Sequence, residues 1–142
     1  MKRFLLLAVV LSLSLLSVSA KEKEIKSMSV QGIGEMVEIL KTHCSVIEDG
    51  MRSLADLKKG AEKALALEET NAEDSDKLND ILEYCEAIGS YYKNKLEDCR
   101  AELAFYEMLK NSGETAVQFQ GGLEKNLEIF KKSKLAKEAV TP

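Results

Sequence analysis

The chain has 142 residues and a net charge of −4, which is the size of one domain and leaves no basic excess for gripping nucleic acid. Charged residues make up 31% of it, tryptophan is absent, and the only proline is the last residue, so no internal proline stops a long helix.

The N-terminus has the three-part form of a secretory signal peptide. Lys2 and Arg3 precede the apolar run FLLLAVVLSLSLL at residues 4–16, and Val18-Ser19-Ala20 offers small residues for cleavage. An uncleaved membrane anchor is the rival reading. It is the weaker one, since a bilayer span needs about 20 apolar residues and this run carries Ser12 and Ser14. Residues 1–20 are therefore expected to be removed and the product to be secreted and extracellular. Removal takes away Lys2 and Arg3, so residues 21–142 carry 18 bases against 24 acids, a charge of −6. Residues 21–29 read as a flexible N-terminal segment, with Gly32-x-Gly34 loosening the start of the first helix.

Hydrophobic periodicity predicts an all-α fold, an elongated antiparallel three-helix bundle over residues 30–138 with a short tail at 139–142. The first helix spans about residues 30–67. Its seam is Ile33, Val37, Leu40, Cys44, Ile47, Met51, Leu54, Ala61 and Leu65, a coiled-coil-like alternation of threes and fours. Gly50 and Gly60 are the two places where this helix can break, each costing about 1 kcal/mol against alanine. The second helix spans about residues 76–110, with Leu78, Leu82, Cys85, Gly89, Tyr92, Leu96, Cys99, Leu103 and Tyr106 in its seam. Ile81, Ile88 and Leu109, then Tyr84, Tyr91 and Phe105, widen that face to an arc of about 160°, as suits a helix with two neighbours. The third helix spans about residues 114–138 and carries Phe119, Leu123, Leu127, Phe130 and Leu135, with Gly121-Gly122 bending it or delaying its start to Leu123.

The joints carry helix punctuation. Residues 68–76, EETNAEDSD, contain Thr70-x-x-Glu73 at capping-box spacing and Ser75 as a cap for the second helix. Asp74-x-Asp76 begins like a calcium loop but lacks the glycine and closing glutamate such a loop requires. Asn111-Ser112-Gly113 reads as a stop, with Gly113 free to turn left-handed.

Three cysteines raise the question of pairing. Cys85 and Cys99 lie fourteen residues apart on one helix, about 21 Å along its axis, beyond disulfide reach. Cys44 and Cys99 sum to 143, so an antiparallel hairpin that pairs them turns at 71.5, inside the 68–76 joint. Cys44 with Cys85 would instead turn at 64.5, within the first helix. A Cys44–Cys99 disulfide is therefore expected in an oxidising compartment. Cys85 is left as a free thiol buried in the seam, or alternatively as an intermolecular thiol that makes a homodimer.

Catalysis is not expected. His43, the only histidine, points about 100° away from its neighbour Cys44 on a helix, so the two do not face each other. There is no nucleophile elbow and no glycine-rich phosphate loop, and the cysteines lack the spacing of a zinc site. No cofactor, metal, nucleic acid or membrane span is expected. Binding remains: a secreted non-catalytic protein that contacts an extracellular protein partner through a helix face, with Tyr84, Tyr91 and Phe105 as anchors if the third helix leaves them uncovered. The alternative is a carrier of an apolar, lipid-like ligand between the helices, with Gly89, Met36, Met51 and Met108 leaving a soft cavity. A third reading is a membrane-active protein, from the basic amphipathic stretch that holds Lys125, Lys131, Lys132, Lys134 and Lys137.

Overall fold

The computed structural model describes residues 25–67 and 71–140. The expected signal peptide, Thr70 and the last two residues lie outside them. The order of elements is β1 (Ser27–Ser29), α1 (Val30–Leu65), α2 (Ala72–Asn111), β2 (Ala116–Gln118), α3 (Leu123–Lys131) and α4 (Lys134–Val140). The chain is mostly helical, and two long packed helices form its frame.

α1 starts where Ser29 takes extended backbone and its hydroxyl accepts from the Gly32 amide at 3.2 Å. The helix then runs unbroken through Gly50 and Gly60. Burial of Ile47 and Ala61 on either side, with Met51 and Leu54 half-buried between them, offsets the helix cost of the two glycines. α2 begins earlier than residue 76. Its cap is Asn71, whose Oδ1 accepts from the Asp74 amide at 2.9 Å, so Ser75 lies inside the helix. Asn71 also donates to the Asp74 carboxylate at 2.8 Å, which fixes that first turn. α2 ends as the sequence predicts, with Gly113 at φ 76°.

α1 and α2 pack antiparallel. Lys58 meets Glu86 at 3.2 Å, Arg100 meets Glu48 at 2.9 Å, and the Tyr92 ring lies over Gly50. The numbers in these pairs sum to 144, 148 and 142, which brackets the register expected from Cys44 and Cys99.

An expectation is corrected at the open end of this hairpin. The segment ahead of the first helix is not wholly flexible: β1 pairs antiparallel with β2, with Ser27 opposite Gln118, Met28 opposite Val117 and Ser29 opposite Ala116. The Phe119 amide donates to the Lys26 carbonyl and the Leu123 amide to the Ile25 carbonyl, both at 2.8 Å. The segment 114–138 is divided at Gly121-Gly122, one of the two outcomes expected of that pair. Its first part is strand and turn, because Gly121 and Gly122 take φ values of 75° and 87° that end any helix there. α3 starts at Leu123, the later of the two starts that the glycine pair allows. Ser133 makes a second break, accepting from the Ala136 amide at 3.3 Å and so capping α4. The tail expected at residue 139 instead continues α4 to Val140.

The core occupies one half of the hairpin. Ile33, Val37, Leu40, Cys44 and Ile47 face Leu96, Cys99, Phe105 and Tyr106, and Phe119, Phe130 and Ala136 close over them. Between residues 48 and 95 the buried described residues are Ala61 and Cys85 alone. Strands, α3 and α4 thus cap one half of the molecule, and among the described residues the distal half consists of the helical pair alone.

Candidate functional site

The aromatic residues divide along the hairpin. Phe105, Phe119 and Phe130 meet in the capped half, with ring centroids 6.3 Å and 5.4 Å from Phe105, and Tyr106 adds an edge contact at 5.4 Å. Tyr106 is 2% exposed, and burial first, then the nearby Glu102 carboxylate, push its phenol up to about 12. The other three tyrosines sit further down α2. Tyr84 is 44% exposed and Tyr91 49%. Tyr91 makes an edge contact with Tyr92 at 5.8 Å, and the Lys95 ammonium stands 5.6 Å from the Tyr91 ring centre. Burial pushes the Tyr92 phenol up, and the neighbouring Tyr84 and Tyr91 hydroxyls add to the effect.

Of the three expected anchors, then, Tyr84 and Tyr91 are exposed and Phe105 is not. Phe105 is 4% exposed because β2 and α3 bring Phe119 and Phe130 onto it. A helical wheel of α2 places the three residues side by side and carries no sign of where a covering layer stops. The sequence puts Tyr92 in the seam, where it does lean on Gly50, and its ring also meets Tyr91 edge-on. The spacing of 84, 91 and 92 on a helix was the available signal.

Cys44, Cys85 and Cys99 are all free thiols in this structure and all buried. Cys99 Sγ lies 3.6 Å from the Leu40 carbonyl, one helical turn before Cys44. Burial raises the Cys99 thiol well above the ordinary range. The neighbouring Cys44 thiol and the Glu102 and Asp98 carboxylates act in the same direction. Cys85 lies in the distal half and lines a cavity of about 170 Å³ with Met51, Leu54, Ala55, Lys58 and Gly89.

A wider, open cleft of about 690 Å³ runs between α2 and α4, lined in part by Lys93, Glu97, Asp98, Lys131 and Lys137. Lys131 bridges α3 to α2 there, 2.6 Å from Asp98 and 4.0 Å from Glu102. Burial raises the Glu102 carboxyl above the usual range, Lys131 partly counters this, and Asp98 adds to it. Its basic and acidic groups interleave, so the cleft selects neither sign of ligand. His43 is exposed on α1. Among the described residues no three acidic, histidine or cysteine side chains come together to hold a metal ion, and no helix is long and apolar enough to cross a membrane.

No protein-family model, curated protein or solved structure matches the chain.

Proposed function

We propose that this is a secreted, non-catalytic helical protein that binds an extracellular protein partner through the α2 face carrying Tyr84 and Tyr91. We read its architecture as a three-helix bundle whose third position is filled over only half its length, by α3 and α4. One observation carries the functional reading: three of the four tyrosines gather on the part of α2 that, among the described residues, only α1 packs against, while the phenylalanines of the described chain gather under the cap. A core prefers rings without a polar tip. An exposed face that must be wet when free and dry when bound favours tyrosine, which offers rigid apolar area and a hydroxyl. Lys95 over Tyr91 adds a cation to the same patch, and a cation over a ring is held by its quadrupole.

The apolar-carrier reading ranks second. The cavity beside Cys85 supports it in place and lining, but about 170 Å³ falls short of the 300–1,000 Å³ of common small-molecule sites. The membrane-active reading ranks third. Its basic stretch is divided between two short helices, with Phe130 buried in the core and Lys131 paired with Asp98.

The test is a paired measurement on the secreted protein. Tyr84→Ala with Tyr91→Ala is expected to leave the thermal midpoint within a few degrees and to weaken partner binding on intact cells at least tenfold. Unchanged binding by the folded double variant would reject this face. A stoichiometric lipid recovered by solvent extraction and mass spectrometry would move the carrier reading to first place.

A further inference from the structure

We propose that Cys44 and Cys99 are the chain's disulfide pair, a bond that fastens α1 to α2 at the border of the capped half and leaves Cys85 as a thiol.

The geometry that supports it is local and long-range at once. The Cys99 sulfur lies 3.6 Å from the Leu40 carbonyl, one helical turn before Cys44, although Cys44 and Cys99 are 55 positions apart. The pairs Glu48–Arg100 and Gly50–Tyr92 hold the two helices on either side of a shared register. Cys85 is excluded by the same register. It lies in the distal half against Met51 and Leu54, so α1 presents it with no thiol, and fourteen helical residues separate it from Cys99 by about 21 Å. Position along the hairpin gives the bond its consequence. Cys44 and Cys99 lie among the last buried residues before the distal half begins near residue 48. A covalent tie there stops opening of the distal half from travelling into the core.

The chemistry is thiol–disulfide exchange, and the oxidant is a disulfide of the secretory compartment, low-molecular-weight or protein-bound. One cysteine, as thiolate, attacks a donor sulfur; the donor S–S bond breaks and one donor thiolate leaves. The second cysteine, also as thiolate, attacks the protein sulfur of that mixed disulfide. The Cys44–Cys99 bond forms and the second donor thiolate leaves. Two protein thiols are oxidised, one donor disulfide is reduced to two thiols, and the two protons released by the cysteines pass to the departing thiolates. Both sulfurs are buried, so a donor reaches them only before α1 and α2 close, or when they part. The bond therefore forms during folding, and the folded protein shields it from reductants.

This inference takes its oxidant from the secretion reading, and the experiment separates the two. The full chain is reduced, unfolded in urea and refolded by dilution with glutathione disulfide, then alkylated and digested with trypsin without reductant. Trypsin isolates the three cysteines in residues 42–52, 78–93 and 96–100. The expected product is 42–52 linked to 96–100, with Cys85 alkylated, and Cys85→Ser should give the same linked pair. Once formed, the bond should be reduced by dithiothreitol at least tenfold more slowly in native buffer than in urea. A bond to Cys85, three alkylated cysteines, or equal reduction rates would overturn the proposal. Thiol trapping inside the producing cell reads the compartment independently: free thiols there, with the bond formed in vitro, would count against secretion and for the pairing.

Discussion

Replacing Phe105 with alanine separates two roles that the α2 helix allows for this ring. As an exposed anchor, Phe105 would matter for binding and hardly for stability. As the centre of the Phe119, Phe130 and Tyr106 cluster, it should be among the most costly residues to truncate. Burying a phenylalanine side chain contributes about 1.5–3 kcal/mol by transfer, and each favourable ring pair adds about 0.5–1.5 kcal/mol. The hole left behind adds a cavity cost, which brings Phe→Ala in a core to about 3–5 kcal/mol. For the 122 residues after Ala20, an unfolding entropy of about 2.1 cal/mol/K per residue gives about 0.26 kcal/mol/K. The thermal midpoint should therefore fall by about 12–20 °C. Urea unfolding followed by circular dichroism at 222 nm measures the same loss as a shifted midpoint at nearly constant slope. A cost under about 1 kcal/mol would refute the packing argument, for surface substitutions commonly stay within about 0.5 kcal/mol.

Three other outcomes follow from particular residues. Gly60→Ala should stabilise the protein by about 0.5–1 kcal/mol in urea melts, because α1 is helical there and an added Cβ meets nothing within 4 Å; a loss would mean α1 bends at that point. Asn71→Ala should cost about 1 kcal/mol, since it removes the oxygen that holds the Asp74 amide, whereas Ser75→Ala should cost less because Ser75 is no longer the cap. Tyr106 titrates at about 12 in the folded chain against about 10 when unfolded, so the stability it contributes is complete below pH 10 and is lost as the pH rises towards 12. Tyr106→Phe should flatten the fall of the urea midpoint over that interval, and parallel curves for the two proteins would contradict the assignment.

The two long helices were legible in the sequence because their seams repeat every three or four residues for ten turns or so, a period that only a helix brings onto one side. Their register was legible as well. The joint after residue 67 sets where the chain turns, and an antiparallel pair has little freedom beyond that, so Lys58 meets Glu86 near the sum that Cys44 and Cys99 suggest. The stop of α2 at Gly113, and a bend or late helix start at Gly121-Gly122, followed from the one residue type that takes positive φ without strain. Three residues of strand on each side, by contrast, left no periodic signal. β1 and β2 are too short to show alternation, and each exists because the other supplies its partners from nearly ninety residues away. The fate of Phe105 was illegible for a related reason. Tyr84, Tyr91 and Phe105 lie on one side of α2, and which of them is covered depends on how far α3 and α4 reach along it. That reach is set by the Gly121-Gly122 turn, the restart at Ser133 and the grip of Lys131 on Asp98. A sequence pattern says which face of a helix is apolar. Only tertiary packing decides how much of that face another element covers, because the covering element's length and entry angle are fixed by contacts distant in sequence.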